Sequence, residues 1–292
     1  MTGIRRRPAV AGSFYPGDAA SLDRLVDECL HDDPRALPRP SELPGEVLGV
    51  LVPHAGLVYS GGTAARGWAT LATAAPATVV VMGTCHTAPW LEGIAASPDD
   101  AWSIPGGDVE VDTGLRDAIV ALGAPFLTEP RAHATEHAIE VQLPFFRRLL
   151  PGARFVPLTV GCTPDAAVIG GDMAGRLVAE RRGSGERIAV VISTDFAHYP
   201  PHAVAEAVTA EHLPGLRALD IAQVHEVERH LRTAGPIGVD CGLCGLEATL
   251  AGLAALRAMG ATRGSLLARA TSADRPGSSF SRTVGYASLA FA

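Results

Sequence analysis

Three histidines and an aspartate stand where short apolar runs give way to polar or glycine-rich sequence. His54 lies in Pro53-His54-Ala55-Gly56, His86 in Gly83-Thr84-Cys85-His86, and Asp195 and His198 in Thr194-Asp195-Phe196-Ala197-His198. Imidazoles bind metals and exchange protons near neutral pH, and a nearby carboxylate orients them for either task. A lone histidine at such a place is most often a hydrogen-bonding or capping group, and Asp195 alone reads equally well as a helix cap. Three histidines at equivalent positions, with glycine nearby, weigh towards a shared site.

Two further segments carry reactive side chains. Asp240-Cys241-Gly242-Leu243-Cys244-Gly245 contains a Cys-x-x-Cys. No second such pair exists, so a zinc ribbon is excluded, and the position late in the chain does not suit a thioredoxin motif. A helix predicted over 242–259 starts directly after Cys241. Its dipole is expected to lower that thiol's pKa and make Cys241 a soft ligand, while Cys244 falls in the core. The alternative is that both are small buried hydrophobes. A second helix is predicted over 136–150 with Thr135 as its N-cap, so that Glu136, His137 and Glu140 share a face that reaches the site. The alternative there is an ordinary acidic first turn. His31, His133, His202, His212, His225 and His230 are expected in loops or on helix surfaces.

The elements that must position these groups follow from periodicity. Apolar runs at 46–53, 77–82, 155–160 and 187–193 are short and mostly β-branched, and read as buried strands. Final strands are predicted at 263–271 and 282–291, and 106–112 alternates as an edge strand or hairpin arm. Helices are predicted over 19–30, 61–71, 165–181, 203–213 and 221–231, besides the two above. Alternating strands and helices imply an α/β fold: a mixed, largely parallel sheet flanked by helices. In such sheets ligands bind beyond the carboxyl ends of the strands, so His54, His86, Asp195 and His198 are expected to converge on one rim. The stretches 32–44 and 96–105 read as loops, no linker is evident, and residues 1–292 read as one domain.

Composition narrows the chemistry. All 24 basic residues are arginine, and the chain contains neither lysine nor asparagine. P-loop, kinase, Schiff-base and Cys-His-Asn mechanisms are thereby excluded. The net charge of −7 argues against a nucleic-acid or anionic-membrane partner. No run approaches a membrane span, and Arg5-Arg6-Arg7 is followed by too short an apolar stretch for a signal peptide. Five scattered cysteines suit a reducing compartment, so the expected location is cytoplasmic.

The chain resembles the Memo family, whose bacterial and archaeal members are called AmmeMemoRadiSam system protein B. The resemblance rests on residues 7–16 (RPAVAGSFYP), 52–61 (VPHAGLVYSG), 83–86 (GTCH), 136–144 (EHAIEVQLP), 193–199 (STDFAHY), 240–242 (DCG) and 281–287 (SRTVGYA), in family order along nearly the whole chain. It implies a fold similar to class III extradiol ring-cleavage dioxygenases. It also implies one metal ion, iron or copper ahead of zinc, held by His54, His86 and Cys241. His198 then takes the acid/base position, with Asp195 and Glu136 as catalytic carboxylates, and Cys85 is a second thiol near the pocket. A thiolate in place of the usual carboxylate ligand departs from the ring-cleaving enzymes and puts ring cleavage itself in question. The implied activity is that of a metal-dependent oxidoreductase. The alternatives are an accessory protein that binds a small molecule, a peptide, or radical-SAM and system protein A partners, and a zinc-type hydrolase.

Overall fold

The run Thr78-Val79-Val80-Val81-Met82 sets the pattern of the core. In the computed structural model, which describes residues 3–31, 45–236 and 238–292, these residues form part of β3 (Thr78–Thr84) and are buried on both faces. Val80 and Met82 pack into one apolar cluster with Leu51, Leu158 and Ile192. Val79 and Val81 pack into another with Val52, Trp68, Phe155 and Val191. A period-two strand with apolar residues on both sides can only lie inside a sheet covered twice.

The strands β2 (Gly49–Val52), β9 (Ile188–Ser193), β3 and β8 (Arg154–Val160) lie side by side in that order, all parallel. Val52 pairs with Ser193, Gly83 with Ser193, and Thr84 with Val160, so their carboxyl ends finish level at one edge. Antiparallel strands extend the sheet on both sides. β12 (Val284–Phe291) pairs with β2 and carries β10 (Phe196–His198) and β11 (Gly264–Thr271). Beyond β8 lie β4 (Ile94–Ala96) and then β7 (Phe126–Thr128). The predicted mixed, largely parallel sheet is therefore parallel at its centre and antiparallel where the flanking strands join.

Helices cover both faces, as expected. α1 (Ala19–His31), α2 (Leu57–Ala72) and α5 (Leu143–Leu149) lie together on the Trp68 side, while α6 (Pro164–Gly183) and α9 (Leu246–Ala258) pack together on the other. α7 (His202–Ala218) and α8 (Ile221–Ala234) complete the β10 side, and α3 (Thr113–Val120) follows the small sheet. That sheet comprises β1 (Arg5–Arg6), β5 (Ala101–Ile104) and β6 (Gly107–Glu110), which makes 106–112 a hairpin arm. Strands β1, β4, β5, β7 and β10 are two to four residues long, too short to leave a periodic trace in sequence. The loop expected over 32–44 lies outside the described residues.

The predicted helix over 136–150 is not formed as such. α4 (Arg131–Ala134) ends with Thr135 as its C-cap, residues 136–139 are irregular, and a single 3-10 turn (Glu140–Gln142) leads into α5. Pro144 supplies one reason, since proline belongs in a helix's first turn and disfavours helix in the residue before it.

Candidate metal centre and its pocket

His54 follows β2, His86 follows β3, Asp195 follows β9 and His198 ends β10. All four line one cavity of about 930 Å³ at the carboxyl edge of the sheet, together with His137 and Phe14. The ligand atoms of His54, His86 and His137 lie within 4.8 Å of one another. His86 stacks on His137 with ring centroids 4.6 Å apart, and His54 stands edge-on to both at 5.2 and 5.5 Å.

Hydrogen bonds fix which nitrogen of each ring is open. Ser193 Oγ donates its one proton to the Ala138 carbonyl at 2.7 Å. It can therefore only accept from His54 Nδ1, 3.0 Å away. That places the proton on Nδ1 and leaves a lone pair on His54 Nε2. Gln142 holds the same hydroxyl and the Pro53 carbonyl through Nε2, and is itself held by Trp68 Nε1. His86 Nδ1 lies 2.9 Å from Glu136 Oε1, so its Nε2 is also open. A carboxylate or hydroxyl behind each imidazole is the arrangement that orients metal-binding histidines.

Glu136 organises the histidine loops. Its two oxygens accept backbone N–H groups from His86, Thr87, His137 and Ala138 at 2.6–3.1 Å. These bonds hold 136–138 out of helix and explain the lost N-terminal half of the predicted element. Gly83 permits the approach: a Cβ there would stand 2.7 Å from Ile139 and 3.3 Å from Ala138. Burial would raise the Glu136 pKa, but the His86 ring and the backbone donors overcome it and bring it to about 2. Asp195 is also buried. Its Oδ1 accepts the amides of His54 and Ala55 at 2.7 and 3.3 Å, yet burial dominates and pushes it up to about 7.

Burial, then repulsion from neighbouring histidines, pushes His54 well below its ordinary value and lowers His137 and His198 to about 4. All three are neutral at pH 7, the form that binds a cation. His198 Nε2 is buried and has no hydrogen-bond partner among the described residues. An orphaned imidazole nitrogen beside a cavity calls for a ligand atom to complete it.

The cysteines fall differently from expectation. α9 starts at Leu246, five residues after Cys241, so no helix dipole acts on that thiol. Burial, together with Glu228, pushes Cys241 up to about 12 instead. Cys241 does not belong to the cluster of three close ligand atoms. Cys244, expected in the core, places Sγ 3.2 Å from His54 Nε2 and 3.2 Å from the Asp195 amide. Cys85 Sγ turns to the Ala88 carbonyl.

Two buried glutamates hold the surrounding segments: Glu228, which the sequence did not mark, and Glu140, expected to reach the site but turned to the N-terminal segment instead. Glu228 on α8 accepts the amides of Gly242 and Leu243 at 3.0 Å and is paired with Arg232, while His212 Nε2 stands 3.5 Å away. Gly242 is required there, since a Cβ would lie 2.5 Å from Glu228 Oε2. Glu140 gathers the N-terminal segment through Arg6, Tyr15 and the amides of Ala9 and Val10, and so fixes the strand-to-helix approach that carries Phe14. His133 and His212, expected at the surface, are fully buried. Paired polar partners far along the chain are what make such burial tolerable, and they leave no local signal.

Comparison with known proteins agrees with this picture. A family model described as "Memo-like protein" matches residues 6–290. MEMO1 family protein MK0963 of Methanopyrus kandleri is 37% identical over 99% of both chains. MEMO1 family protein MTH_45 of Methanothermobacter thermautotrophicus is 35% identical, covering 97% of this chain and 99% of its own. Among solved structures, the uncharacterized protein JW3007 from Escherichia coli K12 shares the fold, with a TM-score of 0.53 and 17% identity over 81% of this chain and 98% of its own.

Proposed function

The chain belongs to the Memo family, and from that premise we propose that it is a metal-dependent oxidoreductase of dioxygenase-like architecture, acting on a small organic molecule in the cavity. The observation that carries this reading is the pair His54 and His86. Each has Nδ1 engaged from behind and an Nε2 lone pair left on the far side, open in His86 and faced by the Cys244 thiol at 3.2 Å in His54, and each lies beside a third neutral imidazole. That donor set fits a single borderline ion such as iron, copper or zinc, and the resemblance to the dioxygenase fold puts iron or copper first. Bound there, the ion would act as a Lewis acid and a one-electron centre.

The protein's own groups divide the remaining work. Glu136, ionised, orients His86. His198, neutral and with Nε2 unpaired, takes or returns a proton on the substrate. Asp195, half-protonated near neutrality, holds the His54 loop and serves as a local proton reservoir. His137 is the first choice for a third ligand because it already lies within reach. Cys241 is the alternative, and its high thiol pKa means that the ion itself must displace the proton. Among the described residues no helix is long and apolar enough to cross a membrane. With five cysteines scattered along the chain, a reducing cytoplasmic setting is the reading we adopt.

Elemental analysis of anaerobically purified protein tests the proposal. His54→Ala and His86→Ala should each lose the metal while keeping the wild-type Tm within a few degrees. Comparing His137→Ala with Cys241→Ser identifies the third ligand. Full metal occupancy in both His54→Ala and His86→Ala would sink the reading.

A further inference from the structure

The connection between β11 and β12 borders the cavity and brings two arginines to it, Arg275 and Arg282. The guanidinium of Arg275 lies over the ring of Tyr59, 4.8 Å from its centroid, and that of Arg282 over Tyr199 at 4.1 Å. Other arginines of the chain are tied to carboxylates or carbonyls: Arg6 to Glu140, Arg232 to Glu228, Arg116 to three backbone carbonyls. Arg275 and Arg282 have no carboxylate partner among the described residues. Stacking on an aromatic face fixes the plane of a guanidinium but leaves its in-plane N–H groups unused. Two such forks point to an oxyanion, because carboxylate and phosphate oxygens match their geometry.

The surroundings support that assignment. Tyr199 adopts φ 68°, a strained conformation for a non-glycine residue, and its amide is held by the Thr283 carbonyl, next to Arg282. The stack is therefore built by backbone contacts between the two segments. Asp195 is the one carboxylate among the cavity's lining residues, and it lies buried with Oδ1 turned to the amides of His54 and Ala55. In a chain of net charge −7, this mouth presents positive charge alone. Phe14 and Tyr286 line the same cavity and add flat aromatic surface to it.

We propose that the cavity selects an organic oxyanion, a carboxylate or phosphate monoester on a planar body, gripped by Arg275 and Arg282 while the body faces the histidine cluster. This deepens the proposed function by naming its substrate class, but the anion grip does not require the metal.

Isothermal titration calorimetry with benzoate, phenyl phosphate and neutral benzamide tests it, on EDTA-treated and on metal-loaded protein. Benzoate or phenyl phosphate should bind to the metal-stripped protein, and benzamide at least about tenfold more weakly. Arg275→Gln and Arg282→Gln should each weaken the anion about tenfold, the value of one charge-assisted contact. Arg275→Lys should recover only part of that loss, because it restores charge without the fork. A preference for benzoate or for phenyl phosphate identifies the oxyanion. Equal binding of benzamide, no heat from either anion, or anion binding that needs the metal and ignores both substitutions overturns the proposal. Metal content of the same samples separates the two readings: a metal-free protein that still binds anions through the arginines leaves this one standing.

Discussion

Glu136 and Asp195 are both buried carboxylates that strap a histidine loop to the sheet edge, yet they stand at opposite ends of the acid range. Glu136 receives four backbone N–H groups and an imidazole across its two oxygens, and sits at about 2. Asp195 receives two amides on one oxygen, and sits at about 7. Burial penalises both charges. What differs is the number of donors aimed at them, and that decides which one stays ionised. The His86 side of the pocket is thus a fixed anion with rings arranged around it. The His54 side is a hydrogen-bonded corner whose carboxylate changes charge near physiological pH.

Substitution can break this contrast. Glu136→Gln replaces a fixed charge with an amide whose NH2 must face N–H donors. It should cost about 3–5 kcal/mol in urea unfolding, as expected when one member of a buried charged network is removed. Asp195→Asn removes only the partial charge of a group that titrates at about 7 and should cost less than about 1 kcal/mol at pH 7. Equal losses in the two variants would mean that the carboxylates do not differ in charge.

The pH dependence of stability gives effects of intermediate size. His133 lies on the Glu136 side, with Nε2 donating to the Ala95 carbonyl and Nδ1 accepting from Thr159. Burial and then Arg6 lower it from 6.5 to about 3. Between those values the unfolded chain takes up a proton that the folded one refuses, so stability falls as pH drops through that window. For this one site the slope approaches about 1.4 kcal/mol per pH unit. His133→Gln should flatten that acid limb. Asp195 acts with the opposite sign. Its folded pKa is raised from 3.8 to about 7, so between those values the folded state holds a proton that the unfolded state releases, and stability falls as pH rises. Asp195→Asn removes that counter-slope, which has the same limiting size, and the wild-type and variant profiles should diverge between about pH 7 and about pH 4 and run parallel above about pH 7.

Much of the frame was legible from local pattern. The four central strands, the final pair and most helices show themselves through continuous apolar runs or helical periodicity, because each buries a stretch long enough to repeat. The same strand ends place His54, His86, Asp195 and His198 at one edge, because parallel strands finish level. Where long-range bonds compete with propensity, pattern failed. Glu136 holds 136–138 irregular against a helical periodicity that runs through it. The start of α9 moves from 242 to 246 because Glu228 and β10 claim the backbone of Gly242 and Leu243. His133 and His212 look like surface residues until their buried partners are seen.

The sequence alone determined the family, the parallel core and the set of residues able to do chemistry. With no lysine or asparagine present, the polar groups at the site had to be His, Cys, Asp, Glu and Arg. Tertiary structure decided which of them meet. It set His137 beside His54 and His86, put Cys244 rather than Cys241 against His54 Nε2, separated the charges of Glu136 and Asp195, and stacked Arg275 and Arg282 on tyrosines from other segments. The physical reason is that strand and helix formation depend on neighbours along the chain. Ligand geometry and protonation depend instead on donors and charges brought in from across the fold, at distances that sequence spacing does not encode.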